Sequence, residues 1–288
     1  MEPGPLEGRP QADRAANAAE DARFRALVAV LGKLVTEPHL EATLASDATS
    51  WLAQQGIEPA DAAMLAAQGS ARLVVYRKLV RSGLEGALRV QLPRTVKWLG
   101  SRLGRDVDRF CSGAMARSHF LRDVPREWVA FARPGWAAET SLPAHLGDLA
   151  QHELSAFEIC AAPPSAVNEV ASSETLDPSR PVAFDVAVRM YTYDFPVHEI
   201  DDEVDGAVTP RRSNLLGYRD AEHDARYLEL TGLAAALTSR LLRQEPLGAA
   251  VALACAEVGL AMDATSLGRV ATFFADLAER RILLGTSA

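Results

Sequence analysis

Two His-Glu pairs, His152-Glu153 and His198-Glu199, come closest to a metal-ligand pattern in this chain. A zinc-protease helix needs a second histidine four residues after the first, so that both imidazoles share one face with the glutamate beside them as base. Here those positions are Ala156 and Asp202. The remaining histidines are scattered. Cys111, Cys160 and Cys255 form no Cys-x-x-Cys pair. Each sits in a helical pattern, where a free cysteine acts as a small buried hydrophobe. No Gly-rich phosphate loop and no Gly-x-Ser-x-Gly elbow occurs. With no converging acids, bases or ligands, the expectation is a binder rather than an enzyme, with no metal and no cofactor of its own.

Binding surfaces are therefore the features to seek. The chain has 288 residues and a formal net charge of −8. That charge is uneven. From Ala71 to Phe110 there are ten basic residues against three acidic, a net +7. Arg77, Lys78 and Arg81 lie at its centre. A basic patch on an acidic protein suits a specific acidic partner, and the same residues also suit the solvated faces of two helices. No window of eighteen apolar residues exists, so no membrane span is expected. The N-terminus lacks the apolar stretch of a secretory signal. Together with unpaired cysteines, this fits a reducing cytoplasm.

The elements that position these residues change character once along the chain. Residues 1–20 read as a disordered leader. Helical spacing covers 22–36, 39–55, a short piece from Pro59, and a long helix from Ala71. In that helix Leu73, Tyr76, Val80, Leu84 and Ala87 form an apolar stripe. Further helices are expected over 106–118 and 142–160. Residues 163–180, rich in Pro, Ser and acids, read as a linker. Period-2 alternation then runs through Val182, Phe184, Val186, Val188 and Met190, with a phase change at Met190-Tyr191 marking a bulge or a boundary. Leu215–Arg219 and Arg226–Leu230 read as a hairpin. Three helices follow: one from Leu230, one over Leu247–Val258, and one capped by Asp263 with Leu267, Val270, Phe274 and Leu277 facing a core. A short strand closes the chain near Arg281–Gly285. The fold class is α+β. A helical domain over 21–162 precedes a small winged-helix-like domain over 181–288.

Particular residues give this order a likeness. Tyr76-Arg77 leads to Leu92-Pro93, then to Leu121-Arg122-Asp123-Val124-Pro125, then to Leu149-Ala150-Gln151-His152-Glu153. Residues 70–160 thereby resemble the N-terminal domain of HvfC/BufC-type proteins. These are partner proteins of multinuclear non-haem iron oxidative enzymes that modify ribosomal peptides. Gln151 and Leu154 depart from the Arg and Trp usual in the last motif. The C-terminal half resembles, in element order, a PqqD-like precursor-recognition domain: a β-hairpin meander and then three helices.

The resemblance implies a non-catalytic partner in a heterodimer, holding the leader of a precursor peptide while the iron stays in the oxidative enzyme. It implies peptide contacts at Arg226, Tyr227 and Leu228 on the sheet edge, with Arg269 and Phe273 on the groove wall. Phe273 and Phe274 are adjacent, so one faces the core and the other is available to a ligand. Arg77, Lys78, Arg81 and His152 are the expected enzyme contacts. His152 also fits a helix histidine packed among its own core neighbours. The alternative function is a DNA-binding regulator. Against it, residues 181–288 carry ten basic and sixteen acidic residues, where phosphate contact needs unopposed cations.

Overall fold

The computed structural model describes residues 11–37, 40–114, 116–163, 176–200 and 208–286. Its helices are α1 (Gln11–Thr36), α2 (Leu40–Gln54), α3 (Pro59–Ala67), α4 (Ser70–Gln91), α5 (Pro93–Leu99), α6 (Arg102–Gly113), α7 (Val124–Ala137) and α8 (Leu146–Cys160). Strands β1 (Val182–Phe184), β2 (Arg189–Tyr193), β3 (Ser213–Arg219) and β4 (Ala225–Glu229) come next. Helices α9 (Gly232–Leu242), α10 (Leu247–Glu257) and α11 (Ala264–Glu279) precede β5 (Leu283–Thr286). The α+β class is as expected. Among the described residues no helix is long and apolar enough to cross a membrane.

Two compact units form, and they do not follow the expected boundary near Ala162. One comprises residues 1–90 and 99–134, the other 91–98 and 135–288. Helix α8 thus belongs with the strands. Of the expected leader, residues 1–10 lie outside the described residues, while 11–20 are the first turns of α1. Of the expected linker, 164–175 lie outside them.

In the first unit, Val30, Leu34, Leu44, Trp51 and Leu52 make a helical core, with Leu73 and Val74 packed against it. Asp47 breaks α2 with φ −154°. Its carboxylate accepts the Ser50 N–H at 3.0 Å, capping the second half of the helix. The Leu-Arg-Asp-Val-Pro segment is a short 3₁₀ turn into α7. Glu127 on α7 accepts the N–H groups of Arg117 and Ser118 at 2.6 and 2.9 Å and holds the chain leading into that turn.

In the second unit, β2, β3 and β4 form an antiparallel meander, and β1 pairs separately with β5. The alternation read across Val182–Met190 is therefore not one strand. Asp185 turns the chain: its Oδ1 accepts the Ala187 N–H at 2.8 Å and its carbonyl accepts that of Val188 at 3.0 Å. The phase break falls at this turn, ahead of Met190-Tyr191.

Both faces of the meander are covered. On one side Met190, Leu216, Tyr218 and Leu228 pack with α9–α11. On the other Tyr191, Tyr193, Leu215 and Tyr227 pack with Leu149 of α8. This is why Leu215 and Leu216, adjacent and pointing opposite ways, are both fully buried. Helix α8 approaches so closely that a Cβ on Gly217 would lie 2.6 Å from Ile159 Cδ1 and 2.9 Å from a Tyr191 ring carbon. Three polar ties fix α8 there. Asp148 accepts the Asp194 N–H at 2.8 Å. Ser155 and Tyr227 share a hydroxyl hydrogen bond of 2.7 Å. Arg219 donates to the Ala162 carbonyl, at the C-terminal end of the helix, at 2.6 Å.

Glu153 explains two of the sequence motifs together. Its carboxylate accepts the N–H groups of Arg94 and Thr95 at 2.8 and 3.0 Å, and the Thr95 hydroxyl at 2.7 Å. Leu92-Pro93 starts α5, and the His-Glu motif of α8 supplies the cap for its first amides.

The third expected helix has the expected start, since Asp263 accepts the Ser266 N–H at 2.9 Å. Val270, Phe274 and Leu277 are buried as read from the sequence, but Leu267 is 44% exposed. It lies in the first turn, before α11 reaches the core.

Candidate functional site

Beside β4 lies a cavity of about 1100 Å³. Its floor is apolar, with Leu228, Leu237 and Leu260, and α11 runs along it from Thr265 to Asp276. Arg269 and Phe273 stand on that wall, one helical turn apart. Phe274 turns into the core at 7% exposure, leaving Phe273 to the cavity as expected.

Strand β4 ends the meander, so one of its sides carries no partner strand among the described residues. Which groups face that side follows from the ladder. Leu230 donates to the Asn214 carbonyl at 2.8 Å, and Asp220 donates to that of Asp224 at 3.0 Å. Leu216 opposes Leu228 and Tyr218 opposes Arg226. Bonded and non-bonded pairs alternate along an antiparallel ladder. The backbone groups of Arg226 and Leu228 therefore point into the hairpin. Those of Ala225, Tyr227 and Glu229 point outward.

Of the five expected peptide contacts, Leu228, Arg269 and Phe273 converge on the cavity. Arg226 and Tyr227 do not line it. Arg226 is held at the hairpin tip by Asp220 at 2.5 Å and Asp224 at 3.5 Å. The Tyr227 side chain points to the α8 face, where burial pushes its phenol up to about 12. Only its outward backbone faces the edge.

The expected enzyme-contact set fares differently. Arg77 is 7% exposed. It donates to the Leu34 carbonyl at 3.0 Å and to that of Glu37, closing the C-terminus of α1. Arg81 is paired with Asp108. Lys78 is exposed. Much of the surrounding positive charge is also met internally, with Arg89 on Glu85 at 2.8 Å and Arg102 on Asp106 at 3.0 Å. The outer face of α4 is partly apolar instead. Tyr76, a member of the apolar stripe, is 37% exposed, and Leu79, three residues on, 65%.

His152 lies inside the second unit. Its ring packs against Tyr227 at 4.4 Å and edge-on to Tyr193 at 5.7 Å. Of its two readings the packed helix histidine is the one observed. Its Nδ1 is buried with no hydrogen-bond partner among the described residues. Burial pushes its pKa down from 6.5 to about 4, and the charges of Arg94 and His198 push the same way. Because the folded value lies below the unfolded one, the stabilisation from keeping this ring neutral is complete above pH 6.5. It is lost as pH falls towards 4. The expected loss across that window is on the order of 3 kcal/mol. Urea unfolding of wild type and His152→Gln at pH 7 and pH 4.5 checks it: the variant should lose much less. An equal drop in both would assign the acid sensitivity to other groups.

One grouping was not visible in the sequence. His198, Glu199 and Glu229 bring ligand-type atoms within 4.8 Å of one another, although Glu229 is thirty residues from Glu199. Arg211 binds both carboxylates, at 2.5 and 2.9 Å. With that guanidinium in place the set is an ion-pair cluster fastening the segment before β3 to β4. Pairing across the meander creates it, and no sequence spacing announces it.

Residues 186–278 match the family model of the HvfC C-terminal domain. None of the curated proteins compared with the chain matches it. The matched span takes in β2–β4, the cavity and nearly all of α11. Helix α8, which covers the other face of this domain's sheet, lies outside the matched span.

Proposed function

We propose that this chain is a non-catalytic partner protein. It binds the leader of a ribosomally made precursor peptide by strand addition and presents it to an iron-dependent oxidative enzyme. The observation that carries this reading is the edge of β4, which has no partner strand among the described residues and lies against an apolar cavity walled by Phe273. Outward amides and carbonyls at Tyr227 and Glu229 would pair with an extended backbone, giving affinity with little sequence demand. The cavity would then take alternate side chains of the added strand. On this reading the iron and its ligands belong to the enzyme, and this chain supplies shape and hydrogen bonds. The match of residues 186–278 to the HvfC C-terminal domain model supports a partner role.

The test compares two changes at one position. Glu229→Ala and Glu229→Pro both remove the carboxylate, but only proline removes the outward N–H, which an edge strand tolerates. A labelled leader peptide that binds the wild-type chain should bind Glu229→Pro at least about tenfold more weakly than Glu229→Ala. Phe273→Ala should cost about 1–3 kcal/mol of binding, as for a buried aromatic anchor. Leu228→Pro, by contrast, removes a donor used inside the hairpin and should damage folding. Equal leader affinity in wild type, Glu229→Pro and Phe273→Ala would move the peptide site off this edge.

A further inference from the structure

The cavity wall carries unequal charge. Of the charged residues around it, Glu229 is held by Arg211 at 2.9 Å and Asp276 by Arg280 at 2.8 Å. Arg269 is exposed and makes no ion pair or hydrogen bond among the described residues. It is therefore an unmet cation on the lip of an apolar groove. It sits four residues before Phe273, so both side chains lie on one face of α11.

Spacing turns this into a sequence requirement. Four residues of helix rise about 6 Å. Two residues of strand rise about 6.6 Å and return to the same face. A strand lying between β4 and α11 thus offers successive groove-facing side chains at nearly the separation of Phe273 and Arg269. Building on the strand-addition reading above, we infer that the groove selects an extended peptide with a bulky apolar residue two positions from an aspartate or glutamate. The apolar side chain enters the cavity against Phe273, and the carboxylate meets Arg269. The charged contact is exposed and contributes through association rate and discrimination more than through buried contact area.

A random dodecapeptide display library panned on the full-length chain tests this without knowledge of the natural leader. The wild-type pool should become enriched in Leu, Ile or Phe spaced by one residue from Asp or Glu. The Arg269→Glu pool should lose the acid at that position and gain Lys or Arg. A synthetic consensus peptide should bind Arg269→Glu about tenfold more weakly, and replacing its acid by lysine should recover most of the loss. Arg269 is exposed, so the variant's melting temperature should match wild type. A wild-type pool whose binding needs Phe273 but shows no acid preference overturns the inference and leaves strand addition standing. Failure to enrich any peptide sensitive to Phe273→Ala overturns both.

Discussion

A fragment running from Pro181 to Ala288, the domain that composition suggests, should unfold without a cooperative transition and should bind a hydrophobic dye. In the whole chain Tyr193, Val197, Ile200 and Leu215 pack with Leu149 of α8, and all are 8% exposed or less. Burying one such side chain is worth about 1.5–3 kcal/mol. Uncovering four of them removes an amount comparable to the ~5–15 kcal/mol that holds a typical domain together. The ties from Asp148, Ser155 and the α8 carbonyls are lost at the same time. A fragment from Gly135 to Ala288 keeps α8 and should regain a sharp transition. Thermal melts followed by near-ultraviolet circular dichroism distinguish the two. A shorter fragment that melts as sharply as the full chain would show that the sheet needs no cover on that face.

The second large effect is at Arg77. Arg77→Glu should destabilise the chain by about 3–5 kcal/mol, the cost of breaking a buried charged contact. The substitution removes both donors to the Leu34 and Glu37 carbonyls and places a carboxylate against oxygen atoms. Lys78→Glu, one residue on but exposed, should stay within about 0.5 kcal/mol. Urea midpoints of the two variants give the comparison. Similar midpoints would mean that Arg77 closes nothing. If Arg77→Glu is destabilised as expected, any loss of partner binding in that variant reflects unfolding, so Lys78 is the better probe of that surface.

Helix phase carried most of what could be read in advance. The Asp263 cap follows from residue type at a helix start, and the opposite facing of Phe273 and Phe274 from a period that needs no knowledge of neighbours. Leu228 and Arg269 come from the resemblance in element order rather than from periodicity, and both line the cavity. What failed depended on long-range partners. Arg77 looked like one of several surface cations because its acceptors lie forty and forty-three residues earlier. The Tyr227 side chain turns away from the edge because α8 covers the second face of the sheet, and only its backbone stays at the edge. The apparent strand over Val182–Met190 mixed two strands of different sheets, since alternation does not register the turn that Asp185 makes. The Arg211 cluster arises only once β3 and β4 pair.

The Glu153 cap has a consequence for synthesis. Helix α5 is seven residues long, too short to persist in water by itself. The carboxylate that satisfies its first amides lies 58 and 59 residues later in the chain. The Ile200 carbonyl that receives the Arg94 guanidinium lies 106 residues later. At about 5–20 residues per second, α5 leaves the ribosome seconds before anything that can hold it. Until α8 emerges, the stretch from Leu92 to Leu99 is a segment that a chaperone or protease can reach.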